Sequence, residues 1–77
     1  MALITDATNS WSAPVSLVTD ELWQSRSGSV FVTTTVSPDA NDGLFLHENH
    51  AVRLPAGAAV SYRKEGVTEA LIVREAV

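Results

Sequence analysis

The densest β-forming run in the chain is residues 28–36, which read Gly-Ser-Val-Phe-Val-Thr-Thr-Thr-Val. Its valines fall on alternate positions, with Phe31 and threonines between them, which is the period-2 alternation of a half-buried strand. β-branched side chains are stiff at χ1 and favour a pleated sheet over a helix. We therefore predict a central strand over residues 28–36, around which the other segments are arranged.

Short apolar segments follow one another on both sides of this strand, at spacings of about ten residues. The last segment, residues 67–77, has helix propensity in its second half, but the tight turn at Gly66 and the Leu-Ile-Val triplet that follows favour a strand. Strands are predicted for residues 12–18, 22–25, 28–36, 44–46, 51–54, 58–63 and 67–77.

The turn between the second and third of these strands is predicted at residues 25–28. Gly28 can take the positive φ that a hairpin bulge needs, so we expect residues 22–25 and 28–36 to pair as a β-hairpin. The longest loop is predicted at residues 37–43, a cluster of Ser, Pro, Asp, Asn and Gly.

The chain length of 77 residues predicts one domain with a small core. Residues 1–12 are polar except for Leu3 and Ile4, so we predict an extended N-terminal arm there and a single β domain over residues 13–77. The predicted fold class is all-β, a small antiparallel β-sandwich or barrel of six to seven short strands.

Composition excludes several functional classes. The net charge of −4, without any run of Lys or Arg, disfavours nucleic-acid binding, which needs a clustered basic face. No apolar stretch approaches the ~20 residues of a membrane span, and the first residues do not resemble a signal peptide, so we expect a soluble protein made in the cytoplasm. The chain has no cysteine, which excludes disulfides and makes partners or a homo-oligomer the expected source of extra stability.

Two polar segments suggest metal chemistry, and neither has the required spacing. His47, Glu48 and His50 offer donors that suit zinc, but the histidines are three apart in a predicted turn. Residues 39–43 resemble half of a calcium loop, but its glycine and closing glutamate positions do not match. We predict polar turns at both places, and no metal ligands.

Catalytic and cofactor motifs are also missing from the sequence. Residues 27–29 do not complete a Gly-x-Ser-x-Gly motif, and both histidines lie in one turn, so a serine triad is disfavoured. The four glycines are scattered singly, which excludes a glycine-rich phosphate loop. We predict that the protein is not an enzyme and has no cofactor.

The remaining candidates for function are apolar. If the valines of the central strand line the core, Phe31 faces outward or into a second layer, and a sheet that is apolar on both faces needs a cover on each. That cover comes either from another subunit or from the other half of a closed barrel. Trp11 is either a plug at the rim of the core or an anchor on a partner. The predicted partner interface consists of Leu3, Ile4, Trp11, Trp23, Phe31 and Phe45.

Six short motifs distributed over residues 12–77 form a recognisable pattern: Leu22-Trp23-Gln24, Gly28 to Val36, Asp42-Gly43-Leu44, Ala56-Gly57, Val60-Ser61-Tyr62-Arg63 and Ile72-Val73-Arg74-Glu75. In these motifs the chain resembles the short structural proteins of tailed bacteriophages and related gene transfer agents. The resemblance implies a virion protein that binds the outer capsid surface as a decoration or cement protein, with the major capsid protein or other virion proteins as partners, after assembly in the host cytoplasm.

Two other functions stay open. A component of a head spike, fibre base or tail tip would recognise a surface glycan or a partner protein, and Trp11 or Trp23 exposed beside residues 39–43 would favour it. A small metal-dependent enzyme would use His47, Glu48 and His50.

Overall fold

A computed structural model describes residues 2–77, and over this range the chain is all-β, without a helix. Eight strands form two four-stranded antiparallel sheets that pack face to face as a sandwich, so the all-β antiparallel prediction is confirmed, while a closed barrel is not formed. The predicted count of six to seven strands is too low, because residues 2–4, in the segment predicted as an arm, also form a strand. The strands are β1 (Ala2–Ile4), β2 (Val15–Ser16), β3 (Glu21–Ser27), β4 (Val30–Thr33), β5 (Leu44–Leu46), β6 (Ala51–Leu54), β7 (Ala59–Lys64) and β8 (Leu71–Ala76).

The first sheet has the strand order β1-β8-β3-β6, and the second has the order β2-β7-β4-β5. β3 and β4 therefore lie in different sheets, and the predicted hairpin between them is wrong. A chain this short needs two layers to bury an apolar core, and crossing between sheets lets the Trp23 face of β3 pack against the Val30 face of β4. If β3 and β4 paired as a hairpin, Trp23 and Val30 would lie in the same sheet, and another layer would be needed to cover them.

The crossing between the sheets depends on Gly28. Its φ is +72°, and a Cβ at this position would lie 2.9 Å from the carbonyl oxygen of Glu69. The Ser25 hydroxyl donates to the Gly28 carbonyl, and the Gly28 N–H donates to a carboxylate oxygen of Glu48 at 3.2 Å. Only glycine combines the left-handed backbone with so close an approach.

The central strand is shorter than the sequence predicts. β4 is an inner strand of the second sheet, but it ends at Thr33, and residues 34–36 are exposed. The Thr33 hydroxyl oxygen accepts a hydrogen bond from the N–H of Thr35 at 3.1 Å, which offers the backbone an alternative to the sheet ladder. The β propensity of the threonine run does not offset this local bond and the turn formers that follow.

The core lies between the two sheets, and Trp23 is at its centre. Trp23 is completely buried, with its ring 6.1 Å from that of Tyr62 across the sandwich. The prediction that Trp23 belongs to a partner interface is therefore wrong, because the side chain points to the inner face of the first sheet. The core cluster consists of Leu17, Trp23, Val30, Val32, Leu46, Leu54, Val60, Tyr62, Ala70 and Ile72.

A partly buried ion pair closes the core beside Trp23. Arg74 donates two hydrogen bonds of 2.8 Å to the two carboxylate oxygens of Glu21, and the Trp23 indole N–H donates to the same carboxylate at 3.0 Å. The Arg74 guanidinium also lies 5.4 Å from the Trp23 ring centre. These hydrogen bonds from Arg74 lower the pKa of Glu21, against the opposing effect of burial.

The N-terminal residues lie along the domain. Ala2–Ile4 pair with β8 in the first sheet, with Leu3 opposite Val73. Beyond β1, the Tyr62 hydroxyl donates to Asp6 at 2.6 Å, and burial together with this carboxylate raises the pKa of Tyr62 to about 12. The backbone N–H of Lys64 donates to the Thr8 carbonyl at 2.7 Å. The segment predicted as an arm thus bridges the edges of both sheets.

We expect Gly28→Ala to destabilise the fold far more than Gly66→Ala. Gly66 has nearly the same φ, +75°, but a Cβ there meets nothing within 4 Å. Gly66→Ala should cost about 1 kcal/mol for the left-handed backbone, and Gly28→Ala should cost this amount plus the clash with the Glu69 carbonyl. Urea denaturation of the two variants measures the difference. Equal losses would show that the crossing does not need the close approach.

We expect Glu21→Gln to cost about 3 kcal/mol at neutral pH, because it leaves the Arg74 charge partly buried without its counter-ion. A carboxyl whose pKa is lowered in the folded state stabilises fully above its unfolded pKa, and this contribution disappears as the pH falls through the folded value. The wild-type and Glu21→Gln stabilities should therefore converge below pH 4.5, the ordinary value for this carboxyl.

The matched control for this prediction is Asp20→Asn, which breaks the exposed ion pair of Asp20 with Arg53. Its effect at neutral pH should be much smaller than that of Glu21→Gln, because exposed pairs are solvated and screened. Denaturant unfolding from pH 3 to pH 7 checks both variants. A difference between wild type and Glu21→Gln that does not change with pH would contradict the ion-pair account.

Candidate functional site

On the outer face of the second sheet, three paired residues on neighbouring strands form a cross-strand rung. Phe31 of β4 lies opposite Arg63 of β7 on one side and opposite Phe45 of β5 on the other. Because Val30 and Val32 point into the core, Phe31 and its two neighbours point away from it. Strand pairing therefore places these three side chains in line, although they are far apart in the sequence.

Neighbouring side chains extend the rung into a continuous row. The Arg63 guanidinium lies 4.0 Å from the centre of the Phe31 ring, and the Phe31 and Phe45 rings are 4.8 Å apart. Trp11 extends the row beyond Arg63, at 5.0 Å, and His47 extends it beyond Phe45, at 4.5 Å. We call this set the aromatic row; it consists of Trp11, Arg63, Phe31, Phe45, His47 and His50.

The loop over residues 37–43 fixes one end of the aromatic row. The Trp11 indole N–H donates to the carbonyl of Asp39 at 2.8 Å, and Arg63 donates to the carbonyl of Ala40 at 2.9 Å. The loop turns tightly, since the Asp39 N–H donates to the Asp42 carboxylate at 2.9 Å. At Gly43, a Cβ would lie 2.9 Å from the Trp11 ring, so glycine lets the loop lie close against the indole.

Arg63 is held by rings and a carbonyl, without a carboxylate partner. Within residues 2–77 the ion pairs are Arg53 with Asp20 and Arg74 with Glu21. The Arg63 Nε is buried and, in this part of the chain, has no hydrogen-bond partner. A cation stacked between Trp11 and Phe31 gains cation–π attraction, and Arg63 as a whole is only partly buried. The row can therefore meet a partner with both apolar contacts and a positive charge.

The aromatic row remains partly accessible to a partner. Phe45 is 39% exposed, Trp11 and Phe31 are half-buried, and both histidines are exposed. Large aromatic and arginine side chains that are already fixed by their neighbours are the usual anchors of protein interfaces. The arrangement suits recognition of a surface, and it places no nucleophile beside a base.

Two concave regions border this face. A groove of about 380 Å³ lies beside Trp11, and its lining includes Pro14 and the hydroxyl-bearing residues Ser12, Thr35, Ser37 and Ser61. A second, more open cleft of about 830 Å³ lies where β5 and β6 face each other at the side of the sandwich. Both are lined mainly by apolar surface.

The six residues predicted as a partner interface are separated by the fold. Trp11, Phe31 and Phe45 come together on the outer face of the second sheet, whereas Leu3 is exposed on the outer face of the first. Ile4 packs against the core and is partly buried, and Trp23 is fully inside the core, so Trp23 offers no side chain to a partner. Half of the predicted set therefore forms one surface.

Sequence reasoning missed Arg63 and the two histidines as members of this surface. Their place depends on which strands pair, and local alternation gives no information about that. The only available signal was that Arg63 falls on the face of its strand opposite to Val60 and Tyr62, which indicates an outward position.

The histidine turn forms as predicted, and its rings lie close together. His47 and His50 have ring centres 5.4 Å apart, in an edge-on arrangement. Among residues 2–77, no group of three or more His, Asp or Glu side chains is placed to hold a metal ion. Over the same part of the chain, none of the secondary structure is a helix that could cross a membrane.

Comparison with models of protein families, with curated proteins and with solved structures found no significant match to this chain.

Proposed function

We propose that the protein is a non-enzymatic structural component of a tailed-phage particle, which binds the outer capsid surface as a decoration or cement protein. The observation that carries this proposal is the aromatic row on the outer face of the second sheet. The resemblance of residues 12–77 to short phage structural proteins supplies the class of partner, the major capsid protein or another virion protein.

The aromatic row has the composition and rigidity of a protein-binding surface. Trp and Arg are the residue types most often found as interface hot spots. Trp11 and Arg63 are each fixed by a hydrogen bond to the loop and by stacking on each other. Because these side chains are already ordered, binding loses less conformational entropy than it would with mobile side chains.

A small protein with a modest interface suits a repetitive shell. A ligand that binds the assembled shell and not the free subunit stabilises the shell by mass action. Many copies repeated by the symmetry of the particle multiply this effect, especially if the copies also contact one another. The net charge of −4 favours the outside of the shell over contact with packaged DNA.

The first test is sedimentation of a lysate from the native source, with the protein followed by mass spectrometry. The proposal predicts that it travels with megadalton particles and that particles lacking it are less resistant to heat or chelation. A protein that stays at the top of the gradient, or particles of unchanged robustness after deletion of the gene, would contradict the proposal.

The second test is add-back of purified variants to particles that lack the protein. Phe45→Ala and Trp11→Ala should each weaken binding by roughly thirtyfold, as expected for truncating an interface anchor. Leu22→Ala is the matched control, because Leu22 is 40% exposed, as Phe45 is, but lies on the outer face of the first sheet. Circular dichroism and thermal unfolding verify that each variant is folded. A larger effect for Leu22→Ala than for Phe45→Ala would contradict the proposal, because the contact would then lie on the outer face of the first sheet.

A second candidate function is recognition of a surface glycan by a spike, fibre-base or tail-tip protein. The observation that favours it is the position of Trp11 beside the loop over residues 37–43, next to a mainly apolar groove whose lining includes several serine and threonine residues. Arg63 occupies one side of the indole, which leaves the groove side for a sugar ring. A glycan array with hits that Trp11→Ala abolishes would support this function, and an array without hits would count against it.

A further inference from the structure

The edge strand β5 has no side chain that blocks pairing with another strand. Within residues 2–77 it pairs with β4 alone, so its other side offers unpaired backbone groups. Its three residues, Leu44–Leu46, include no charge, no proline and no bulge, so only its short length limits edge-to-edge pairing. The edge strand β6 contains the charged Arg53, and Pro14 directly precedes the edge strand β2; β1 also has no charge or proline, but it does not border the apolar cleft.

Exposed apolar side chains surround this edge. Leu44 is 56% exposed and Val36 is also exposed, and both border the apolar cleft between β5 and β6, while Phe45 is exposed on the outer face of the same strand. Val52 and Leu54 of β6 line the opposite wall of that cleft. The side of the sandwich where β5 and β6 lie is therefore open and apolar, which marks an association surface.

We propose that two copies of this chain associate through β5, which pairs with β5 of the second copy in an antiparallel arrangement about a two-fold axis at Phe45. The two second sheets then form one continuous eight-stranded sheet. The geometry of the rung points to this register, because the pairing places Phe45 of each copy opposite the other. The line of stacked side chains then runs without a gap from Arg63 and Phe31 of one copy to those of the other.

The same register accounts for the apolar residues beside Phe45. With the axis at Phe45, Leu44 of one copy lies opposite Leu46 of the other, so the exposed Leu44 side chain is covered. Closure of the open side also covers the cleft of both copies. Phe45 then belongs to both surfaces, whereas Trp11, Arg63 and Phe31 lie farther from the axis on the outer face and stay available to a particle.

The size of the interface predicts a reversible dimer. The molecule measures 31 × 25 × 17 Å, so the open side is a wall at most 31 Å long and 17 Å thick. Even in full contact, two such walls bury at most about 1,000 Å² in total, which is near the lower limit for specific interfaces. We therefore expect a concentration-dependent equilibrium between monomer and dimer.

Sedimentation equilibrium of the isolated protein, from about 1 µM to about 1 mM, tests the dimer without any particle present. The wild type should change from monomer to dimer in this range. Leu44→Lys puts like charges into the pairing edge and should weaken the dimer at least about tenfold. Val67→Lys is the matched control, because Val67 is 95% exposed and lies in the loop between β7 and β8; it should leave the equilibrium unchanged.

A monomeric wild type over the whole range would overturn the proposal and would leave the edge to a strand of another protein. A dimer that Leu44→Lys does not weaken would also overturn it, because the contact would lie elsewhere. Neither result bears on the capsid proposal, which is measured by binding to particles. Conversely, a failure to bind particles does not affect the equilibrium of the isolated chain.

The axis itself is tested by a single cysteine at position 45. The chain contains no cysteine, so Phe45→Cys offers one thiol per copy. Directly opposed residues in an antiparallel pair have Cβ atoms about 5 Å apart, close enough for a disulfide after a small shift. Mild oxidation should link Phe45→Cys much faster than the control Val67→Cys. Equal rates would exclude a two-fold axis at Phe45, and this readout is available even if Leu44→Lys does not fold.

Discussion

The second sheet has apolar side chains on both of its faces, and the rest of the structure is arranged to cover them. β4 causes this, because Val30 and Val32 alternate with Phe31 along one strand. The first sheet covers the valine face of β4. The two strands lie in different layers because the chain crosses from the first sheet to the second at Gly28. The opposite face has no second layer within residues 2–77. On that face, the loop over residues 37–43 covers one end of the aromatic row, and the rest of the row is left as a surface for a partner.

Two arginines, Arg74 near the core face of the first sheet and Arg63 on the outer face of the second, stack on aromatic rings in different environments. Arg74 stacks near Trp23 and is neutralised by Glu21, so its charge belongs to the closure of the core. Arg63 stacks on Phe31 and Trp11 and donates to a backbone carbonyl, without an acidic side chain to neutralise it. The first arrangement stabilises the fold at neutral pH. The second leaves a fixed positive charge within an apolar surface, as expected for a site that meets acceptor groups of another molecule.

Local patterns in the sequence predicted the strands better than their pairing. β5 and β6 have the predicted bounds, and residues 71–76 form a strand and not a helix, as the Gly66 turn indicated. The predicted hairpin at Gly28 was wrong because a turn-forming sequence does not determine whether the next strand joins the same sheet. For the same reason, alternation could not decide whether Trp23 pointed inward, and it did not reveal that Arg63 lies beside Phe31. Pairing depends on how distant segments share one core, which no local period records.

The most direct test of the account is hydrogen–deuterium exchange of the protein, alone and bound to particles from its native source. The account predicts that binding slows exchange in the loop over residues 37–43 and along β5, which border the aromatic row and are accessible in the free protein. Strands β3 and β8 of the first sheet should be unaffected. Slower exchange at β1, β6 and the outer face of the first sheet, with residues 37–46 unchanged, would contradict the account, because the partner would then bind the opposite side of the sandwich.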